Sequence, residues 1–180
     1  MQEIYDYVIV GGGSAGCVLA RRLSENPDVT VCLLEAGGSH KNPLVTMPAG
    51  LIGLVGYPIK NWAFETTPQD GLGGRKGYQP RGKALGGSSS INAMIYIRGH
   101  REDYEAWADL GNTGWGWNDV LPYFKKSEHF EGGGDGLHGE GGPLNVATLT
   151  DPSPVNDAFF EAGRTLQYPI NQDFNGETQE

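Results

Sequence analysis

A glycine-rich hexapeptide near the N-terminus is the first feature that could bind a ligand. It reads Gly11-Gly12-Gly13-Ser14-Ala15-Gly16, a G-x-G-x-x-G pattern between a predicted strand and a predicted helix. Gly11 permits a tight turn, Gly13 lets a pyrophosphate approach the backbone, and Gly16 allows the helix to pack on the strand. The free N–H groups of the first helical turn, which includes Ser14 and Ala15, then face the phosphates. The pattern predicts a dinucleotide site.

A carboxylate follows at the spacing that such a site requires. Glu35 ends the second predicted strand, about 20 residues after Gly16, and Ala36 follows it. A carboxylate at this place can accept hydrogen bonds from both hydroxyls of an adenosine ribose, and it would repel a 2'-phosphate, so an NADP-type cofactor is disfavoured. The alternative is a tight β-α turn without a ligand, and the joint placement of the glycines and the acid argues against it.

A second glycine-rich run spans residues 82–99, directly after Tyr78-Gln79-Pro80-Arg81. Gly86 and Gly87 leave room for a ligand, and the hydroxyls of three serines, Ser88, Ser89 and Ser90, can donate to a phosphate or cap a helical turn. A serine-rich helix cap in front of an apolar strand is the alternative interpretation. A cap requires neither two glycines nor Asn92, which looks buried in the sequence. The run therefore predicts a second edge of the same site.

This second run resembles the first signature of the glucose-methanol-choline (GMC) oxidoreductase family, and every constrained position is satisfied as far as Glu105. The opening from Tyr5 to Gly37 and three short pairs, Met47-Pro48, Asn61-Trp62 and Gly114-Trp115, are also similar to the family. The resemblance thus covers essentially the whole chain. It is strongest to the branch of bacterial choline dehydrogenases and aliphatic alcohol dehydrogenases.

The resemblance implies an FAD site, with the run from Asn92 to Ile95 beside the isoalloxazine ring. Where some relatives attach the flavin through a histidine just before the asparagine, this chain has Ile91, so non-covalent FAD is expected. The residues expected to contact FAD are Gly11, Gly13, Ser14, Ala15, Gly16, Glu35, Ala36, Trp62, Arg81, Gly86, Gly87, Ser88, Asn92, Ala93, Met94 and Ile95.

The resemblance further implies oxidation of a primary alcohol, choline or an aliphatic alcohol, to the aldehyde by hydride transfer to flavin while a base takes the hydroxyl proton. In the family the base is a histidine paired with a second histidine or an asparagine, and both are expected beyond residue 180, as is the strand that closes the dinucleotide domain. No catalytic residue is therefore assigned, and this chain alone is expected not to oxidise alcohols. The electron acceptor, oxygen or a quinone, stays open.

Two other classes of protein share the opening fingerprint. A flavoenzyme of another reaction class, such as an amine oxidase or a disulfide reductase, has the fingerprint but lacks the run over residues 82–92. A binding protein of the GDP-dissociation-inhibitor type keeps the fold without a flavin. Glu35 and the second glycine-rich run argue against this binding protein.

Composition excludes several partners. The formal net charge is −9 and the 13 basic residues form no dense run, so nucleic acid is an unfavourable partner. No stretch approaches the roughly 20 apolar residues of a membrane-spanning helix, and the start of the chain lacks a signal-peptide pattern. The sequence predicts a cytoplasmic protein without a transmembrane segment, with peripheral contact to the inner membrane left open.

The cysteines and histidines are assigned no role. Cys17 and Cys32 lie in apolar stretches without metal-ligand spacing, which indicates buried reduced thiols and no metal site. The four histidines have polar or glycine-rich neighbours, so a surface position is expected for each rather than a role as general base: His40, His100, His129 and His138.

The pattern of apolar residues predicts the two strands and the helix that position the first glycine-rich turn. Residues 5–10 are β-branched and aromatic and predict a buried parallel strand, residues 14–25 predict an amphipathic helix, and residues 29–35 predict a second strand. Together they form one β-α-β unit with a right-handed crossover. Residues 36–80 are rich in Gly, Pro and Asn and predict a long excursion over the surface.

The second half of the chain predicts three helices. One is expected at about 100–110, and another at about 118–128 with Asn118 as N-cap and Pro122 in its first turn. The third, over residues 154–166, has apolar residues at i, i+3, i+4 and i+7.

The predicted fold class is α/β, an incomplete Rossmann-like FAD-binding domain with a parallel sheet and helices, followed by the start of a substrate domain with an antiparallel sheet. The glycine-rich loop at residues 132–142 indicates the boundary, and residues 143–147 could form a short strand after it. The predicted domains are therefore residues 1–142, which include the excursion over 36–80, and residues 143–180.

Overall fold

In the computed structural model, which describes residues 4–179, the chain divides into two units after Ile95. The domain boundary that the sequence suggests, between residues 142 and 143, concerns the organisation of the whole protein and stays a prediction. None of the described helices is both long and apolar enough to cross a bilayer.

The first unit opens with the predicted β-α-β arrangement, which the structure confirms. Strand β1 (Tyr7–Val10) pairs in parallel with β2 (Val31–Leu34), and helix α1 (Ser14–Leu23) connects the two strands and packs on both. Asp6 joins the starts of the strands, because its carboxylate accepts hydrogen bonds from the Thr30 N–H at 2.8 Å and the Thr30 hydroxyl at 2.7 Å. These bonds hold the pKa of Asp6 below its usual range.

The prediction that β1 is buried is wrong. Val10 is 83% exposed and Val8 is also exposed. A parallel strand is buried only where both faces of its sheet are covered. Within residues 4–179 no third strand joins β1 and β2, and α1 packs on both strands. The free thiols Cys17 and Cys32 are partly buried, and not fully buried as predicted.

The excursion between β2 and the second glycine-rich run contains short elements and one small hairpin. Its elements are α2 (Pro43–Thr46), α3 (Leu51–Gly56), and the antiparallel pair β3 (Phe64–Glu65) and β4 (Tyr78–Gln79). Asn61 holds them together from a buried position. Its Nδ2 donates to the Leu54 carbonyl at 3.1 Å and the Tyr78 hydroxyl at 2.9 Å, while its Oδ1 accepts from the Arg81 N–H at 2.9 Å. These bonds satisfy the polar atoms of Asn61 beside the buried side chain of Leu54.

Among its described residues the second unit has three longer helices close to the predicted positions and two strands, the first of which the sequence did not predict. They are α4 (Arg101–Asp109), α5 (Trp117–Ser127), β5 (Glu128–Phe130), β6 (Leu144–Val146) and α6 (Pro154–Thr165). Tyr104 on α4 and Phe124 on α5 meet edge to face, with ring centroids 5.7 Å apart, and this contact helps to pack the two helices together.

Helix α5 begins earlier than predicted. Its N-cap is Gly116 and not Asn118, because two carboxylates bind the first amides: Asp119 accepts from the Gly116 N–H at 3.2 Å and Glu105 accepts from the Trp117 N–H at 3.1 Å. Pro122 consequently lies in the second turn of the helix and not in the first.

Strand β6 forms where it was predicted, but it pairs in parallel with β5 rather than in an antiparallel sheet. The connection over residues 131–143 is about as long as the dozen residues that a parallel crossover needs. Its glycines allow the chain to return to the start of β5, as the positive φ of +97° at Gly133 shows.

The surface position predicted for His138 is wrong. Its side chain is 3% exposed and lies between the carboxylates of Glu128 and Asp173, which provide partners for both ring nitrogens. A buried imidazole with two partners leaves no polar atom unsatisfied. His40 is exposed, whereas His100 and His129 are partly buried.

Candidate cofactor site

The two glycine-rich runs are in direct contact. The Gly86 N–H donates to the Gly12 carbonyl at 2.7 Å, and the hydroxyl oxygens of Ser14 and Ser89 are 2.5 Å apart. A Cβ added at Gly87 would lie 2.7 Å from the Gly13 Cα. The backbones can therefore approach this closely only because both turns lack side chains at the contact.

The first turn has the geometry that its glycines predict. Gly11 has a φ of +99°, in the region that favours glycine, and a Cβ at Gly16 would overlap the Gly11 carbonyl oxygen. Helix α1 begins after Gly13, and no side chain caps its first amides. These N–H groups are consequently available to an anion at the positive end of the helix.

Glu35 is held at the rim of this turn. One carboxylate oxygen accepts from the Gly12 N–H and the other from the Gly37 N–H, each at 2.7 Å. Because a carboxylate oxygen has two lone pairs, each oxygen retains an acceptor position for a ligand hydroxyl. The two backbone bonds thus orient the carboxylate without using all of its capacity.

A cleft of about 1120 Å³ lies along these groups. It exceeds the roughly 300–1,000 Å³ of most ligand pockets, so a dinucleotide-sized molecule has sufficient room. Of the residues predicted to contact the cofactor, those that line it are Gly11, Gly13, Ser14, Ala15, Gly16, Glu35, Ala36, Trp62, Arg81, Gly87 and Ser88. Gly86 serves the site differently, through its bond to the Gly12 carbonyl.

Several residues of this cleft are not among those predicted from the sequence. Phe64 stacks on Trp62, with ring centroids 5.6 Å apart and planes 13° apart, and the Lys83 ammonium lies 4.2 Å from the Trp62 ring centroid. Strand periodicity would not have found Phe64, because Ala63 between the two rings has a φ of +50° and the segment is not regularly extended there. The other missed residues are Ile9, Val10, Leu19, Leu33, Leu34 and Gly82, most of which look like core residues in the sequence.

A second cavity of about 710 Å³ adjoins the first and shares Arg81 and Ser88 with it. Asn92 and Ala93 line it together with one face of α3. The guanidinium of Arg81 is bound locally, since its Nη1 donates to the Pro80 carbonyl at 2.7 Å.

Two of the residues predicted to contact FAD, Met94 and Ile95, lie apart from both cavities. A third, Asn92, is not buried as the sequence predicted. Met94 lines a smaller cavity beside α2 and α3, and Ile95 is largely exposed. Asn92 is exposed and not buried, because its Oδ1 accepts from the Met94 N–H at 3.0 Å and forms a local turn, with Met94 at a φ of +58°. The buried side chain here is Ile91, which is 5% exposed.

Two curated proteins show what this chain is similar to in sequence. The chain is 52% identical over 178 residues to an alcohol dehydrogenase [acceptor] of Pseudomonas putida, covering 98% of this chain and 32% of that protein. It is 46% identical over 175 residues to an oxygen-dependent choline dehydrogenase of Rhizobium meliloti, covering 97% and 32%. The chain thus spans about a third of the length of these curated relatives.

Solved structures of similar proteins share the fold. Pyridoxine 4-oxidase from Mesorbium loti superposes with a TM-score of 0.81 at 46% identity, covering 91% of this chain and 32% of that one. A formate oxidase gives a TM-score of 0.81 at 33% identity, covering 97% and 32%. The family model described as GMC oxidoreductase matches residues 5–180, and the chain therefore belongs to the GMC oxidoreductase family.

Proposed function

We propose that this chain is the FAD-binding part of an oxidoreductase that oxidises a primary alcohol, choline or an aliphatic alcohol, to the aldehyde. The observation that carries the proposal is the contact between the two glycine-rich turns, with the Glu35 carboxylate beside them on one cleft. The names of the relatives, which include alcohol and choline dehydrogenases, support the same reaction. One solved structure with 34% identity is named as an FAD-dependent oxidoreductase.

The residues of the cleft fit the adenosine and pyrophosphate of FAD. The uncapped N-terminus of α1 offers N–H donors to the pyrophosphate, and Gly13 lets the phosphates approach the backbone. The free acceptor positions of Glu35 suit the two ribose hydroxyls. The cleft is lined with glycine at Gly11, Gly13 and Gly87, and a Cβ at Gly87 would lie 2.7 Å from the Gly13 Cα.

The second cavity suits the isoalloxazine ring, because it adjoins the first cleft and is lined by Asn92, Ala93 and the apolar face of α3. Ile91, the residue before Asn92, carries no nucleophile, which supports non-covalent binding. Bound FAD would supply the hydride acceptor of the reaction. The chain's own residues bind the phosphates, orient the ribose and enclose the ring. No described residue is assigned as the base, and the acceptor of the electrons, oxygen or a quinone, is left open.

Flavin titration of the 180-residue chain tests this function. We expect FAD to bind with quenching of its fluorescence, and Glu35→Gln to weaken binding by about tenfold or more, because hydrogen bonds to a charged acceptor are worth roughly 1.5–3 kcal/mol. Glu25→Gln, at an exposed glutamate paired with Arg22 on the surface, is the matched control and should bind as the parent does.

FMN separates the adenosine contacts from the ring contacts. Since FMN has no adenosine, it should bind more weakly than FAD, and Glu35→Gln should not change its affinity. A folded chain that binds neither flavin would contradict the proposed function. Equal affinity for FAD in the parent and in Glu35→Gln would contradict the role of Glu35 alone.

A further inference from the structure

The second unit contains a chain of charged side chains that the proposed cofactor site does not use. Glu128 is fully buried, and its Oε2 accepts from the Arg98 guanidinium and from the Gly139 N–H, each at 2.7 Å. Its Oε1 lies 3.3 Å from the His138 Nδ1, and the Asp173 Oδ2 lies 2.7 Å from the His138 Nε2. The imidazole is therefore placed between two carboxylates.

Asp173 belongs to segment 171–179, which is attached to the unit by side chains. Asn175 accepts from the Arg98 N–H at 2.8 Å and donates to the Tyr96 carbonyl at 3.1 Å. Gln179 donates to the Arg98 carbonyl at 2.8 Å. Asp173 also accepts from the Asn175 N–H at 2.8 Å, so the carboxylate that contacts His138 also orients the residue that contacts Arg98.

The positions of the two carboxylates require a particular form of the imidazole. A neutral imidazole has one N–H donor and one lone pair, whereas an imidazolium donates from both nitrogens. Ionised carboxylates only accept. The neutral ring would therefore direct a lone pair at a carboxylate oxygen on one side, and only the imidazolium can bind Glu128 and Asp173 together.

The carboxylates around the ring favour its charged form, whereas the Arg98 guanidinium acts against it. Glu128 on β5, Asp173 on segment 171–179 and Asp135 on the loop before His138 each present a carboxylate, and Arg98 is paired with Glu128. The backbone N–H groups of His138 and Leu137 hold the pKa of Asp135 below its usual range, so this third carboxylate is ionised near neutral pH. The ring of Phe130 packs on the imidazole with centroids 4.4 Å apart and adds no charge.

We propose that the ion pair between the His138 imidazolium and Asp173 holds segment 171–179 against residues 96–98, and that this attachment depends on pH. When the ring loses a proton it can keep only one of its two partners. Glu128 is buried without access to water, so leaving its Oε1 unbonded is costly, whereas the side chain of Asp173 is 40% exposed and can bind water instead. The neutral ring therefore keeps Glu128 and releases Asp173. The segment is held while the ring is charged and released once the ring is neutral.

The test uses the ¹⁵N-labelled 180-residue chain and two signals from the same samples. Long-range ¹H–¹⁵N spectra report the charge of the His138 ring, and the exchange of the Arg98 amide, corrected for its intrinsic pH dependence, reports the attachment of Asn175. The Gly99 amide is an internal control, because it donates to the Tyr104 hydroxyl at 3.1 Å and not to the segment. We expect Arg98 to lose protection by roughly tenfold or more as the ring deprotonates, while Gly99 stays constant.

Asp173→Asn separates the charge from the shape. The amide has the size of the carboxylate but can either accept from the Nε2–H of the charged ring or donate to the Nε2 lone pair of the neutral ring, so the Arg98 amide should stay protected without change as the ring loses its proton. Asp151→Asn, at an exposed aspartate in the same unit, should behave as the parent does. The proposal is overturned if, in the parent, protection of Arg98 is unchanged while the ring titrates, if the ring is neutral where Arg98 is protected, or if the ring stays charged until the chain unfolds.

Discussion

Replacement of Gly87 by alanine tests the contact between the two turns most directly. Gly87 has a φ of +56°, and the added Cβ would lie 2.7 Å from the Gly13 Cα, about 0.7 Å inside the 3.4 Å at which ordinary contact begins. The left-handed conformation costs an alanine about 1–2 kcal/mol. Relief of the overlap requires the two backbones to separate, and overpacking of this kind costs roughly 1–3 kcal/mol more.

Gly73→Ala is the matched control for this experiment. Gly73 has a φ of +61°, close to that of Gly87, but a Cβ there would have no atom within 4 Å. Both variants should therefore lose about 1–2 kcal/mol of unfolding free energy, which urea unfolding measures. Only Gly87→Ala should lose the additional amount and lengthen the bond from the Gly86 N–H to the Gly12 carbonyl.

The difference should also appear in cofactor affinity. Because the proposed phosphate site lies where the turns meet, separation of the turns should weaken FAD binding by about tenfold or more in Gly87→Ala, at a cost of about 1.4 kcal/mol per factor of ten. Gly73→Ala should bind FAD as the parent does. If the two variants bind FAD equally and lose equal stability, the close contact of the turns does not shape the site, and the reasoning is refuted.

Three further predictions concern pH, the buried ion pair and the flavin linkage. The Thr30 hydrogen bonds lower the pKa of Asp6. Their stabilisation is therefore present above the ordinary aspartate pKa and is lost as the pH falls through the lowered pKa. The difference in unfolding free energy between the parent and Asp6→Asn, measured in urea, should vanish in acid. Glu128→Gln should lower the unfolding free energy by about 3–5 kcal/mol, measured in the same way, because Arg98 is left buried without its counter-charge; a loss under about 1 kcal/mol would contradict this. Since Ile91 replaces the linking histidine, acid precipitation of the flavin-loaded protein should release all of the flavin, and colour retained on the precipitate would disprove non-covalent binding.

Elements whose residues interact locally could be predicted from the sequence. Helix α6 follows from apolar residues at helical spacing, and its observed bounds, Pro154–Thr165, differ from the predicted ones by one residue at the C-terminal end. The tight turn at Gly11 follows from neighbouring residues in the same way. The start of α5 was wrong because its first amides are bound by Glu105, a side chain from another helix, which helical periodicity does not reveal.

Burial was predicted less well, because it depends on distant residues. His138 has glycine-rich neighbours and looks like a loop residue, yet its partners are Glu128 and Asp173, 10 and 35 positions away. Asn92 looks buried from its apolar neighbours, but it bonds to the next turn of its own backbone and stays exposed. Val10 shows the same error as Asn92, since its apolar character predicts burial but the described residues leave it exposed.

The sequence by itself determined the chemistry of the candidate site: a turn that requires glycine, a helix start without a capping side chain, and a carboxylate at the end of the next strand. Each depends on residues within a few positions or on one β-α-β unit. Only the tertiary structure decided that the turns at Gly12 and Gly86 touch and that Trp62 and Phe64 line the same cleft. The reason is physical: the contact between the turns is a hydrogen bond and a close backbone approach across more than 70 residues of chain, and no local preference encodes either.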